Sequence, residues 1–368
     1  MENQNTVSQT SSDSPPPLPS ANARASTQKN SSNRGCLRGL IIAVVALIAL
    51  GAGILIGAAL FFQDAHTWTT SRGGARIVEE LVREAPGVRD KIAVIDVKGI
   101  ILSNVSYDGA EAGVLRAQLK RAASDPHVVG VVLDMDTPGG EVTASDEIHQ
   151  AVQAVRDAGK PVVACMRSVC ASGGYYIASA ADFIVANQIT LTGSIGVIIP
   201  RYEYQSLLDK IGIHPAPYKS GRLKDMLSGG TTRPESEQQL IDRYMQELID
   251  TTFHRFATVV ADGRPAYETA DDVKNAVFAD GRILLARDAL DYGLVDKLGY
   301  FEDAINKARE LAGIMEANLV QYRKSYTLRQ FLFGASENRT ITLDSALLQD
   351  VKYIKPRNLY YLMPQLGN

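Results

Sequence analysis

The chain is poor in the residues most often used for chemistry. Its 368 residues include three cysteines, five histidines and one tryptophan. Cys36, Cys165 and Cys170 do not make a disulfide framework. Cys165 and Cys170 have the option of pairing in an exported protein, but they read more simply as small apolar fillers near a packed strand end. No spacing resembles a zinc site, so neither metal nor cofactor is expected. Charge of one sign is missing too. The 38 basic and 41 acidic residues leave a net charge of -3, which gives no global field to draw nucleic acid. None of His66, His127, His149, His214 and His254 lies in a glycine-rich motif. The nucleophile elbow G-x-S-x-G is absent around Ser172, because Cys170 stands two positions before it. That disfavours an α/β-hydrolase. The histidines stay open as bases, since triads assemble in space.

What the chain does have is order along its length. Residues 1–39 are rich in Ser, Asn, Gln, Thr and Pro and lack the apolar surface needed to offset ordering entropy; they read as a disordered tail. Leu40 to Phe62 is an uncharged apolar run, long enough as a helix to cross a hydrocarbon core of about 30 Å. It is too long for the core of a cleaved signal peptide. Arg24, Lys29, Arg34 and Arg38 precede it, so the positive-inside rule puts the tail in the cytoplasm and the rest on the far side. Residues 63–90 read as a polar, partly helical connector. From residue 91 to 315 short apolar runs alternate with helical patterns. The runs are 92–97, 128–135, 161–166, 182–187 and 194–199; the helical patterns cover 113–123, 145–158, 235–261 and 300–312. Continuous β-branched runs separated by helices predict an α/β fold with a parallel sheet buried on both faces. Residues 316–368 form a basic, aromatic extension that the pattern leaves unassigned.

Three segments carry candidate chemistry. DMDTPGGEV at 134–142 ends an apolar run in Pro-Gly-Gly, which stops pairing and exposes amides able to hold a developing oxyanion; taken alone it reads more simply as an ordinary tight turn. CASGG at 170–174 places Ser172 where a strand gives way to a helix, as nucleophile or as N-cap. PYKSGRLKDMLSGG at 217–230 offers Lys219 and Lys224 among glycines and serines. A lysine serves as base only if burial depresses its ordinary pKa near 10.4.

DTPGG, ASGGYYIA, TGSIGV, KSGRLKDM and FADGRILLARDALDYGLVDKLG stand in the order found in the signal peptide peptidase A family, which the chain resembles over about residues 90–312. These are membrane-anchored serine proteases with a ClpP/crotonase-like fold. The resemblance implies Ser172 as nucleophile, Lys224 rather than Lys219 as general base, the Gly139 amide with Gly140 beside it as oxyanion site, and Ser194 as a hydroxyl that helps hold the lysine. It assigns Asp280–Gly299 a structural role. Cys170 replaces a common alanine, and Gly229 stands near a usual proline. The resemblance further implies a single-pass protein of a bacterial cell membrane, assembled as a homo-oligomer, an octamer, with active sites shared between subunits. Its substrates would be remnant signal peptides and other apolar peptides. Two other classes remain in view: a non-catalytic membrane-associated scaffold ring, and an acyl-CoA-using crotonase relative, which would need neither Ser172 nor Lys224.

Overall fold

The structure is a computed structural model and describes residues 44–51, 77–103, 110–324 and 360–362. The chain divides into two units, 1–72 and 73–368. In the first, residues 44–51 are helical. No helix among the described residues is long and apolar enough to cross a membrane. The rest of the 40–62 span and the 1–39 tail lie outside the described residues.

The second unit is built on a mostly parallel sheet. Its main path runs β1 (Ile77–Arg83), β12 (Asn318–Lys324), β2 (Lys91–Lys98), β5 (Val128–Thr137), β7 (Val162–Ala171), β8 (Phe183–Ala186) and β11 (Lys297–Leu298). All neighbours on this path are parallel except β1 and β12. A side branch continues from β7 through β9 (Leu191–Gly193) to β10 (Ile283–Leu285). A second, small sheet holds β3 (Ile101–Leu102), β4 (Ala110–Glu111), β6 (Gly139–Glu141) and β13 (Tyr360–Leu362), in the order β13-β6-β3-β4.

The β-branched runs form the central strands because both faces of the sheet are covered. Ala93, Ile95 and Val97 of β2 enter one core with Val131, Leu133 and Met135 of β5. That core also takes Leu115 and Leu119 of α1 (Ala112–Ser124) and Ile148 and Val152 of α2 (Val142–Asp157). The alternate residues Ile92, Val94 and Val132 enter a second core with Ala304, Ile305 and Ala308 of α8 (Phe301–Ala312). Period-2 alternation thus feeds two apolar layers, and each buried Val or Ile contributes about 1.5–3 kcal/mol. In chain order, α3 (Gly173–Ala178), α4 (Gln205–Lys210), α5 (Glu235–Gly263), α6 (Ala270–Lys274) and α7 (Ala286–Asp291) come between α2 and α8.

Three expectations change. Residues 194–199 are not a continuous strand: β9 ends at Gly193, Ser194 turns away with φ 50°, and only Ile198 returns to an isolated bridge. Residues 77–83, taken from their pattern as part of a helical connector, pair antiparallel with β12. Residues 318–324, unassigned by pattern, are an inner strand of the main sheet.

Candidate functional site

The carboxyl ends of β5, β7 and β9 meet at one place. Thr137 at the end of β5 is level with Cys170 of β7, and Ala171 of β7 is level with Gly193 of β9. In open α/β sheets this end of the strands is where ligands bind. Ser172 follows β7 directly and opens α3. Its N–H donates to the Gly193 carbonyl at 2.8 Å, and its carbonyl accepts from the Tyr176 N–H at 2.9 Å. So one residue ends a strand and starts a helix, and its backbone adopts φ 53°, ψ -116° to do so.

Among the described residues only Ser172 and Ser194 have positive φ without being glycine, at 53° and 50°. Such a conformation costs about 1–3 kcal/mol and persists only where the surroundings enforce it. At Ser194 the enforcing contact is its N–H bonded to the Arg282 carbonyl at 2.8 Å. The N-cap reading of Ser172 does not hold, because its side chain makes no capping bond. Its Oγ is buried and has no hydrogen-bond partner among the described residues. A buried polar group without a partner calls for an explanation in the chemistry of the site.

The glycines around Ser172 are there for closeness. A Cβ on Gly174 would stand 2.7 Å from Thr137 Cγ2, so α3 reaches the end of β5 only without one. A Cβ on Gly140 would stand 1.9 Å from the Ile101 carbonyl oxygen, inside β3. Pro-Gly-Gly does not end pairing here. Instead it moves the chain from the main sheet into the small one, where Gly140 is level with Ile101. Gly139 has φ 99°, and its N–H donates to Thr137 Oγ1 at 3.1 Å. An oxyanion using that amide would replace this bond. Thr137 Oγ1 in turn donates to the Gly99 carbonyl at 2.6 Å. The Thr of DTPGG therefore shapes the glycine turn, a role its place two residues before Gly139 could have signalled. On its outer edge β6 carries β13, antiparallel, with Leu362 level with Gly139.

The lysines are elsewhere. Lys224 is exposed, in a run of turns after Gly221, and makes no hydrogen bond to Ser172. Lys219 is engaged: its Nζ donates to Asp225 Oδ1 at 2.7 Å and to the Arg222 carbonyl at 3.0 Å. That bond holds the Asp225 carboxyl below the usual range. The fold thus brings the backbones of Ser172, Ser194, Gly139 and Gly140 to one set of strand ends, and Lys224 makes no hydrogen bond to Ser172.

Three other buried titratable groups lie on β7 and beside α3. Cys165 and Cys170 are free, buried thiols. Desolvation pushes Cys170 upward and Cys165 up to about 11, so both stay protonated and inert. His149 is buried against the Tyr176 ring, at 5.2 Å between centroids. Desolvation, opposed by Asp146, lowers its pKa to about 4.

A cleft of about 330 Å³ opens beside Ser194, walled by Val197, Ile198, Ile249 and Phe253. A larger hollow of about 590 Å³ is lined by Arg156, Asp157, Lys160 and Asp182; Arg156 is paired with Asp182, and Lys160 donates to the Ala122 carbonyl. No group of His, Cys, Asp and Glu among the described residues is placed to hold a metal ion.

Residues 154–315 match the family described as Peptidase family S49. A protein of Enterococcus faecium bearing the name signal peptide peptidase SppA is 36% identical over 260 residues, covering 69% of this chain and 73% of that one. A Synechocystis protein named as a protease is 36% identical over 269 residues, covering 72% of this chain and 91% of that one. Protease 4 of Salmonella typhi is 38% identical over 238 residues, covering 64% of this chain, which spans only 37% of that longer protein. With most of two protease relatives spanned at this identity, and the family match running through Ser172, Ser194 and Lys224, the chain belongs to peptidase family S49, a family of serine proteases.

Proposed function

We propose that this chain is a membrane-anchored endopeptidase in which Ser172 is the nucleophile and Lys224 of a neighbouring copy is the general base. The observation that carries the reading is the pairing of opposites. Ser172 offers a buried hydroxyl with no hydrogen-bond partner among the described residues, while Lys224 stands exposed on a separate turn. A second copy supplying the lysine would complete both. The surface around the lysine turn favours this. Helix α4 buries no residue, and Tyr202, Leu207, Ile211, Ile213 and Tyr218 are all exposed. Exposed apolar side chains in one segment mark an association surface, and another copy of the chain is the partner the dyad requires.

In this reading neutral Lys224 takes the Ser172 proton as Oγ attacks the peptide carbonyl. Ser194, at the neighbouring strand end, steadies the lysine. The Gly139 amide, with Gly140 beside it, receives the oxyanion. The protonated lysine then gives its proton to the leaving amine, and water activated by the same lysine cleaves the acyl-enzyme. The cleft walled by Val197, Ile198, Ile249 and Phe253 suits an apolar substrate side chain. With residues 40–62 as anchor, the tail in the cytoplasm and the catalytic unit outside, the substrates are apolar peptides left at the membrane after export, remnant signal peptides among them. A closed homo-oligomer, an octameric ring, places each lysine at the next serine.

The test uses the Ser172→Ala and Lys224→Ala variants, singly and in an equal mixture. Both single variants should be inactive on an apolar peptide, and the mixture should regain part of the activity after subunit exchange. A silent mixture whose subunits are shown to exchange would overturn the shared dyad. An active Ser172→Ala variant would overturn the protease reading in favour of a scaffold ring.

A further inference from the structure

The turn that carries Lys224 is short of regular structure. Its N-terminal side is tied by Lys219, bonded to the Arg222 carbonyl and Asp225. Its C-terminal side is tied where the Gly229 carbonyl accepts from the N–H groups of Tyr204 and Gln205, at 3.0 and 3.1 Å. Between them, residues 225–228 have few backbone bonds of their own, the Met226 and Ser228 N–H groups closing tight turns onto Leu223 and Asp225. What fills the middle is Arg233. Its side chain is 3% exposed, almost as buried as the core. Nη1 donates to the Ser228 carbonyl at 3.0 Å and the Thr231 carbonyl at 3.4 Å, and Nη2 donates to the Asp225 carbonyl. Asp225 Oδ1 and Glu237 Oε1 lie 3.6 Å away and balance the charge.

One guanidinium thus collects the carbonyls of residues 225, 228 and 231, the first of them next to Lys224. A planar fork with five donors can gather three carbonyls in fixed directions, which an ammonium cannot. Burying the cation is costly unless it is paired and bonded in this way. Glu237 lies on α5, and Asp225 and Ser228 lie in the turn. Arg233 therefore ties the lysine turn to the first turn of a long helix.

We infer that Arg233 is a positioning residue for the proposed base: it sets the shape of the turn so that Lys224 is presented outward at one fixed place. The inference rests on Lys224 being the base. Arg233 makes no bond to Ser172; it acts through the backbone that follows the lysine, at residues 225, 228 and 231. Displacing a reacting group by about 1 Å is enough to cost about 10²-fold in rate.

The experiment compares wild type, Arg233→Met, Arg233→Lys and Lys224→Ala as full-length protein. Active sites are titrated with a fluorophosphonate, and kcat per titrated site and KM are measured on one apolar peptide. Arg233→Met should lower kcat per site about 10²-fold while KM stays within about twofold, because binding elements are untouched. Guanidinium ion, well below unfolding concentrations, should restore part of that kcat in Arg233→Met and none in Lys224→Ala. Arg233→Lys fills the space and keeps the charge but cannot reach three carbonyls; it should fold and still lose about tenfold in kcat. It keeps the test open if Arg233→Met fails to fold. A merely structural arginine would give fewer titratable sites with normal kcat per site and no rescue, and that result would overturn the inference. Full activity in Lys224→Ala would overturn the base itself. A dead Lys224→Ala beside an Arg233→Lys variant of wild-type kcat would overturn only the role of Arg233.

Discussion

The surroundings of Ser172 and those of Lys224 are built in opposite ways. Ser172 sits where three strand ends meet, its backbone held by Gly193 and Tyr176 and its conformation strained. Lys224 stands in the open on a turn braced by side chains, with Lys219, Asp225 and Arg233 doing what strands do elsewhere. The proposed nucleophile is fixed by the fold of its own chain. The proposed base is fixed only to its turn, with an exposed apolar surface beside it. The contrast separates two requirements. A nucleophile needs a place where water and competing partners are excluded. A base that serves another copy needs to project.

The sharpest way to break the comparison is to remove each group and weigh the protein as well as the activity. Ser172→Gly and Lys224→Ala should both lose about 10⁴-fold or more in kcat. Their stabilities should diverge. Glycine accepts φ 53° freely and removes the unbonded hydroxyl, so Ser172→Gly should raise the unfolding free energy by about 1–3 kcal/mol, read as a higher Tm. Lys224→Ala should leave Tm unchanged. Equal Tm changes in the two variants would remove the strain from the account.

The next test uses acid. His149 backs Tyr176 on the helix that Ser172 opens, and its neutral form is the buried one. Its folded pKa of about 4 lies below the ordinary 6.5. Above pH 6.5 neither state binds the proton and the contribution to stability is complete. As pH falls from 6.5 to about 4 the unfolded chain gains a proton that the folded chain refuses, so stability drops through that window, by up to about 3 kcal/mol, and levels off below it. Thermal unfolding at steps between pH 7 and 4 should show this drop, and His149→Phe should flatten it. A drop of equal size in both proteins would assign the effect to other groups.

On the lysine side the apolar surface is the target. Leu207→Glu and Tyr218→Glu should each weaken self-association by about 1–2 kcal/mol, seen by sedimentation, with activity falling in step and Tm of the subunit unchanged. Activity that survives in a dispersed protein would place the dyad within one chain. The smallest expected effect concerns β13. Ending the chain after Lys324 should lower KM for an apolar peptide a few-fold and leave kcat unchanged; an unchanged KM would mean that peptides do not compete for β6.

The central strands and long helices were legible because their patterns are local. Runs such as IAVIDV and VVGVVLDM have one reading when both faces are buried. The misread segments take their structure from distant partners. IVEELVR repeats apolar residues at a helical spacing, yet its partner is β12, more than two hundred residues later. NLVQYRK mixes charged and apolar residues in a way the pattern leaves unassigned, yet Leu319, Val320 and Tyr322 are buried. SIGVII has a strand's composition, and only the Arg282 carbonyl bonded to the Ser194 N–H shows why it turns. The site followed the same rule. Ser172 and the glycines announce themselves by neighbours in sequence. Arg233 does not, since nothing in TTRPES says which carbonyls will surround its guanidinium.

The pairing of β13 with β6 gains a kinetic meaning if a substrate peptide extends along the same edge. An arriving peptide that extends along Gly139–Glu141 finds the edge already occupied by a strand of the same chain. That strand never diffuses away; being tethered, it acts as a competitor at an effective concentration of about millimolar. Dilute peptides lose such a contest, and peptides concentrated in the plane of a membrane can win it. The enzyme would then respond to how crowded its surface is, and stay quiet toward chains met singly in solution.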